Sequence, residues 1–280
     1  MLDLTLIIPN YNGKNILAKY IPSVLEAVEF AKISYEFIIV DDCSIDDSVN
    51  FISTHYPQIK IIQNRKNLGF SKTCNKGIFE AKGKYTLLIN SDIELTKEYI
   101  SKCLGAFKGN NTFAVMGTII EPNNTSQTTG ILYKRTNFFI KKYPNIENNE
   151  THFVSGANSI YDTAKLKELK GFNTIFSPYY FEDDDLSYRA MMKGWKSYFL
   201  RDAICYHQGS VSIKSCATKR KIKQTYFRNK MIFNFLHSKS SDAYFDTNNV
   251  ILNIIPKFVA GNFWILGSYY QYRKLIFKGN

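Results

Sequence analysis

An α/β fold built on a mostly parallel sheet with flanking helices is predicted by two features of the first ninety residues. Short β-rich runs alternate with longer amphipathic stretches, and polar residues follow three of those runs directly. Such alternation implies crossover helices between parallel neighbours. In an open parallel sheet, ligands bind beyond the carboxyl ends of the strands, so the polar loops are expected to line one shared crevice.

Strands are expected over residues 4–8, 37–40, 60–63 and 85–89. Helical patterns lie between them, at about 15–31, 46–55 and 71–81. Asn or Asp stands near the start of the first two, and Ser71 is the candidate cap of the third, which ends before Gly83. The first strand leads into Pro9-Asn10-Tyr11-Asn12, the second into Asp41-Asp42 and the fourth into Asn90-Ser91-Asp92. The third runs into Asn64-Arg65-Lys66-Asn67-Leu68-Gly69, a basic turn whose glycine opens a helix and so suits phosphate or nucleotide contacts. Between about 110 and 150 the pattern blurs into polar, Asn/Thr-rich sequence with two prolines, expected as loops and irregular strands inserted beside the sheet. Order returns at Phe153-Val154-Ser155-Gly156-Ala157-Asn158 and a helix over 163–169, then reaches Phe181-Glu182-Asp183-Asp184-Asp185-Leu186. A helix over 185–193 stops at Gly194, and 195–200 reads as another strand. From about Lys219 basic and aromatic residues interleave, and 250–266 is largely apolar but broken by Pro256 and Lys257.

The whole chain sets wider bounds. With 280 residues, 45% hydrophobic and 21% charged, it makes one large domain or two small ones with a substantial core, which excludes disorder. A formal charge of +12 favours anionic partners, whether phosphorylated substrates, acidic lipid surfaces or nucleic acid. The five cysteines, Cys43, Cys74, Cys103, Cys205 and Cys216, form no CxxC pair and no zinc-like spacing, so reduced thiols in a cytosolic protein are expected. The opening MLDLTLIIPN is too short in its apolar run for a signal peptide or a membrane span. Without an export signal, the triplet Asn124-Thr125-Ser126 carries no weight as a glycosylation site.

Several residues carry possible chemistry, each beside a plainer reading. Asp92, just past a strand end and next to small Ser91, is placed to hold a cation against a diphosphate; Asn90 would bond a ribose hydroxyl or a metal-bound water. The same triplet also reads as a turn and helix cap. Glu182, Asp183, Asp184 and Asp185 offer a base for deprotonating a hydroxyl, since packed like charges raise the pKa values of some of them. The alternative is a solvated acidic helix start, with Asp184 or Asp185 as its cap. Asp41 and Asp42 suit hydrogen bonds from a base and a ribose, or a turn. Tyr11 offers a face for stacking on a base, or packs at the surface. His207 suits a metal or a phosphate, or a structural role.

Taken in order, Ile7-Ile8-Pro9-Asn10-Tyr11-Asn12, Val40-Asp41-Asp42-Cys43-Ser44, Asn67-Leu68-Gly69-Phe70-Ser71 with Asn75 and Gly77, Asn90-Ser91-Asp92, and Phe181-Glu182-Asp183-Asp184-Asp185-Leu186 with Arg189 and Gly194 resemble family 2 glycosyltransferases of the GT-A fold. The match runs from residue 4 to about 212 and is nearest to bacterial rhamnosyltransferase-like members that build surface polysaccharides. The resemblance implies a Rossmann-like catalytic domain over 1–214, with a nucleotide-sugar half to about 110 and an acceptor half from 111; beyond it, 215–280 reads from its own residues as a helical basic extension. It implies an inverting single displacement from a UDP- or dTDP-sugar, with Mg²⁺ or Mn²⁺, onto a glycan or lipid-linked glycan. By position, Asp42 reads the pyrimidine with Asp41 beside it, Tyr11 stacks on it and Pro9 shapes the pocket. Asn67, Gly69, Asn75, Asn90 and Ser91 belong to the nucleotide site. Asp92 holds the metal, His207 assists with metal or diphosphate, Asp183 is the base and Glu182 orients the acceptor. Gly156, Ala157 and Asn158 line the donor-sugar and acceptor pocket. Asn90 departs from the family pattern, which has an aspartate there.

The extension falls outside the resemblance. Its basic and apolar character suits a helix at an anionic membrane surface, giving a cytoplasmic protein peripheral on the inner face of the membrane, or equally a helical cap on the catalytic domain. Two other functions stand against transfer. Sugar-phosphate nucleotidyltransfer needs a Gly-rich basic loop after the first strand, which Pro9-Asn10-Tyr11-Asn12 does not supply. A non-catalytic basic module for membrane or nucleic acid rests on the +12 charge, with no nucleic-acid motif beside it, so no nucleic acid partner is expected.

Overall fold

The branched side chains of Leu4–Asn10 form strand β1, which is buried along nearly its whole length because the sheet continues on both sides of it. The structure, a computed structural model, describes residues 2–123, 125, 129–136, 139–207, 218–238 and 242–277. The expected boundary near residue 214, and Cys216 and Asn124, lie outside the described residues.

The alternation read from the sequence is present. Strands β1, β2 (Tyr35–Asp41), β3 (Lys60–Gln63) and β4 (Tyr85–Ile89) pair in parallel, and helices α1 (Lys14–Ala31), α2 (Ser48–His55) and α3 (Phe70–Glu80) cross between them. Then come β5 (Ile93–Leu95), α4 (Tyr99–Gly105) and β6 (Thr112–Ile120). A hairpin of β7 (Gly130–Arg135) and β8 (Ile140–Asn145) forms a second small sheet, followed by β9 (Glu150–Thr151). Next are β10 (Asn158–Asp162), α5 (Thr163–Glu168), α6 (Glu182–Met192) and β11 (Lys196–His207). The main sheet has the order β3-β2-β1-β4-β10-β6-β11-β5, with β9 beside β11. Strand β10 runs antiparallel to both neighbours and β6 parallel to β11, so β6 and β11 point the same way as β1 and β4. Their ends therefore meet at one edge.

Successive residues of β1 divide between the two faces, as a strand's period of two requires. Leu4, Leu6 and Ile8 pack with Leu17, Ile21 and Val24 of α1; Ile7 packs on the other face with Cys74 and Ile78 of α3 and Leu186 of α6. A third cluster joins the end of the chain to the rest: Met231, Ile232 and Phe233 of α7 (Lys219–His237) meet Tyr133, Phe176 and Tyr188. Helices α8 (Asp242–Asn249) and α9 (Ile255–Val259), with a π turn at Val250–Ile254 between them, lead to α10 (Trp264–Phe277), whose Ile265 and Tyr272 complete that cluster.

Some expectations change. The stretch expected as irregular contains β6, a central strand, because Thr112–Ile120 is a continuous apolar run with no alternation to mark it. Helix α3 is capped by Gly69 at φ 80°, which leaves Ser71 inside the first turn. Helix α6 begins at Glu182, not 185, after Phe181 in the left-handed region; neither Asp184 nor Asp185 is its cap.

Strand β11 shifts register against β6 between Leu200 and Ile204, and this bulge brings the Ala203 carbonyl over Gly117. A Cβ at Gly117 would lie 2.1 Å from that oxygen and 2.5 Å from the Tyr99 ring. Gly117→Ala is expected to lower stability by about 1–3 kcal/mol, read as a fall in the urea midpoint at constant slope. An unchanged midpoint would contradict the close packing of the bulge.

Candidate active site

Strands β1, β2 and β4 deliver their last residues to one edge, where the register pairs Asn10 with Asp41. The loops beyond them, the turn before α3, the start of α6 and the end of β11 enclose a cleft of about 600 Å³. Of the residues singled out in the sequence, Pro9, Tyr11, Asp42, Asn67, Gly69, Asn90, Ser91, Asp92, Ala157, Glu182, Asp183 and His207 line it. Asp41, Asn75, Gly156 and Asn158 do not.

Asp41 and Asp42 are separated by the pleat of β2. The Asp41 carboxylate turns under the first loop, accepting from Asn10 Nδ2 at 2.8 Å, Ser44 N at 2.9 Å and Ser44 Oγ at 2.6 Å. It braces the loop and has no place in the cleft wall. The Asp42 carboxylate accepts from Asn64 Nδ2 at 2.7 Å and from the Leu68 and Gly69 amides, each at 2.8 Å. Thus Asp42 ties the basic turn to the strand end while one edge of it faces the cleft. Tyr11 stands at the rim, 45% exposed, with its ring available to a flat ligand.

On the opposite side of the sheet edge, β6 and β11 run in parallel and β5 pairs with β11, bringing Glu121, His207 and Asp92 together. His207 Nε2 lies 3.3 Å from Asp92 Oδ2, and its Nδ1 lies 2.7 Å from Glu121 Oε1. Hydrogen bonding to Asp92 pushes the His207 pKa up to about 9, with Glu121 adding and burial opposing. Because this pKa is raised, the ion pairs contribute stability that is fully present below the ordinary imidazole value and is lost as pH rises through about 9. A divalent cation fits this corner: an anionic oxygen and a ring nitrogen share the cleft wall, and the second ring nitrogen is held by a carboxylate, as metal-bound histidines are. No cage of three or more His, Cys, Asp or Glu side chains is found among the described residues, so the cation would take its remaining ligands from substrate oxygens and water.

The acidic run sorts into two pairs. Asp184 accepts from the Tyr133 hydroxyl at 2.8 Å and pairs with Lys142, and Asp185 is held by Arg189 Nε at 2.7 Å and His237 Nε2 at 2.9 Å. Glu182 and Asp183 line the cleft, and Glu182 Oε2 and Asp183 Oδ1 are buried without a hydrogen-bond partner. Burial holds both carboxyls well above the usual carboxylate range, and the neighbouring charges of the run add to it. Glu182 and Asp183 thus present carboxyl groups of raised pKa in the cleft wall, each with one oxygen buried without a partner, and a carboxyl held this way suits proton transfer from a bound hydroxyl.

The residues outside the wall shape it. Asn75 accepts from Phe172 N and donates to Phe172 O, both at 2.8 Å, pinning the turn behind the cleft. Asn158 is fully buried and donates to the Gly117 carbonyl at 3.0 Å. Gly156 admits Asp183: a Cβ there would lie 2.7 Å from Asp183 Oδ1. Sequence reasoning missed Glu121, Thr73, and the lining residues Pro178, Tyr179 and Tyr180. Glu121 follows a strand end as Asp42 and Asp92 do, so the same rule finds it once β6 is recognised.

The family model for glycosyl transferase family 2 matches residues 5–170. The poly(ribitol-phosphate) beta-N-acetylglucosaminyltransferase TarS of Staphylococcus aureus is 25% identical over 181 residues, which are 64% of this chain and 30% of that protein. The chain thus spans about a third of the length of the curated relatives it matches. Among solved structures, Staphylococcus aureus TarS 1–349 in complex with UDP-GlcNAc superposes with a TM-score of 0.64 at 16% identity, over 98% of this chain and 82% of that one. The mannosyltransferase PcManGT from Pyrobaculum calidifontis, in complex with GDP-Man and Mn²⁺, gives 0.61 at 12% identity, over 98% and 76%. These neighbours share the GT-A fold expected from the sequence.

The triad at the sheet edge makes a direct prediction. In metal-free Glu121→Gln, the His207 imidazole should titrate closer to the ordinary histidine value, because one of its two anionic partners is gone. Histidine NMR titration reads this, and a His207 pKa that stays near 9 in the variant would contradict the arrangement.

Proposed function

The chain belongs to glycosyl transferase family 2, and on that premise we propose that it moves a sugar from a UDP- or dTDP-sugar to a hydroxyl of a glycan or lipid-linked glycan in surface-polysaccharide synthesis. The observation that carries this reading is the convergence of Asp92 and His207 with Glu182 and Asp183 on one cleft of about 600 Å³. A donor diphosphate entering a cleft lined by the carboxylates of Asp42, Asp92, Glu182 and Asp183 would meet like charge. A bound Mg²⁺ or Mn²⁺ supplies the neutralisation of the leaving diphosphate.

In this proposal each residue of the chain has a defined task. Asp92 and His207 hold the cation, and Glu121 fixes the imidazole. Asp42 accepts from the base through the carboxylate edge left free by Asn64, Leu68 and Gly69, while Tyr11 stacks on the base and Pro9 closes the pocket. Asn67, Asn90 and Ser91 line the path of the ribose and diphosphate. Asp183 takes the proton of the acceptor hydroxyl as its oxygen attacks the anomeric carbon from the face opposite the departing nucleoside diphosphate, which inverts the centre. Glu182 orients the acceptor, and Ala157 and the backbone at Gly156 leave room for the sugar. Hexosyl or deoxyhexosyl transfer fits the space, and the nucleotide sugars held by the similar structures support a donor of this class.

The proposed domain plan is a catalytic unit over 1–214 and a helical extension over 215–280. The extension shares a core with the catalytic unit, as a cap would. It also leaves Ile251, Leu252, Ile255, Phe258, Val259 and Phe263 exposed beside Lys257. Exposed apolar side chains of this density, on a basic chain, support peripheral contact with an anionic membrane on its cytoplasmic side, where a lipid-linked acceptor would lie. No helix among the described residues is long and apolar enough to cross a membrane.

Two substitutions separate the tasks. Asp183→Asn should lower transfer by about 10²–10⁴-fold while donor affinity stays within about threefold, and Asp92→Ala should weaken metal-dependent donor binding. Because Asp183 works ionised and burial raises its pKa, the acid limb of kcat/KM should lie above the ordinary carboxylate value of about 3.9 and activity should rise as pH climbs through it. Nucleoside diphosphate release across a donor panel with Mn²⁺ measures all three, and full transfer by folded Asp183→Asn would contradict the assignment.

A further inference from the structure

Helix α7 reaches the cleft without lining it. Its Asn229 is fully buried, and Nδ2 donates to the carbonyls of Phe176 at 2.6 Å, Tyr180 at 2.8 Å and Tyr179 at 2.9 Å. Its Oδ1 accepts from Arg228 Nε at 2.8 Å, and Arg228 donates onward to the Ser177 carbonyl at 2.5 Å. One amide and one guanidinium thereby gather the carbonyls of a single short segment.

That segment is the one on which the acidic pair depends. Pro178, Tyr179 and Tyr180 line the cleft, and Glu182 and Asp183 follow at the start of α6. Two residues with side chains, Tyr180 at φ 75° and Phe181 at φ 72°, occupy the left-handed region just before them. Such backbone persists only where its surroundings over-determine it. The backbone amides within 176–181 do not supply that constraint alone: the carbonyls of Tyr179 and Tyr180 go to Asn229. Further along, His237 of the same helix holds Asp185.

We propose that Asn229, supported by Arg228, is a positioning residue: it fixes 176–181 so that α6 begins at Glu182 and the carboxyl groups of Glu182 and Asp183 line the cleft. What those carboxylates do rests on the transferase reading above; that Asn229 sets the segment does not. Helix α7 is thus a part of the reaction site's framework.

Asn229→Asp tests this, because it keeps the shape and the acceptor for Arg228 but turns a carboxylate oxygen toward three carbonyls. Asn229→Ser, which removes the donor without adding charge, serves where the Asp variant does not fold. In the full chain, hydrogen exchange of 176–183 should accelerate by about tenfold or more while the sheet amides keep their protection. In the transfer assay kcat should fall by about 10–100-fold with donor KM within about threefold, and the acid limb of the pH profile should move. Folded variants with unchanged exchange, kcat and pH profile would overturn the proposal, as would kcat and donor KM collapsing together in step with thermal stability. If the wild type transfers from no donor while exchange of 176–183 accelerates in the variant, the transferase reading falls and the positioning role stands.

Discussion

The structure depends on a parallel register that brings strand ends to one edge and leaves carboxylates there in partial burial. Asp42 follows β2, Asp92 follows β4 and His207 ends β11, all on that edge because β1, β4, β6 and β11 point the same way. Gathering anionic groups in a cleft costs free energy unless each is bonded, paired or neutralised. The chain meets most of this cost with neutral donors: amides and Asn64 on Asp42, and the Ser44 and Asn10 groups on Asp41. One oxygen each of Glu182 and Asp183 is left without such cover, and this unmet demand is where chemistry can act.

The four consecutive acids at the start of α6 show how identical chemistry takes different roles from its surroundings. A helix turn points neighbours about 100° apart, so four consecutive side chains cannot all share one environment. Asp184 and Asp185 point to Tyr133, Lys142, Arg189 and His237, which fix the helix against the hairpin and α7. Glu182 and Asp183 point to the cleft, and the glycine at 156 leaves the space Asp183 fills. The basic surface of the chain and its acidic cleft are likewise complementary. In the proposed reaction, overall positive charge would draw an anionic substrate in, and the local negative charge would be met by a cation at Asp92 and His207.

The first half of the fold was legible because it obeys short-range rules. Amphipathic helices between β-rich runs, with polar residues after the strands, identify the edge that holds Pro9, Tyr11, Asp42 and Asp92. What stayed hidden depends on long-range pairing. Strand β6 is buried on both faces and so shows no alternation, and with it went Glu121. Asp41 and Asp42 look equivalent in sequence; only the pleat sends one beneath the loop and the other toward the cleft. Asn75, Asn158 and Gly156 have a place in the family pattern, yet they act by fixing a turn, a strand and a vacancy behind the wall.

The central claim is that Asp92 and His207 recruit a cation to receive a nucleoside diphosphate in this cleft. Isothermal titration of UDP and dTDP into the protein, with Mn²⁺ and with a chelator, tests it most directly. The account predicts binding that strengthens by about tenfold or more with the metal. Nucleotide affinity that is the same with and without the metal, or no affinity in folded protein, would contradict it.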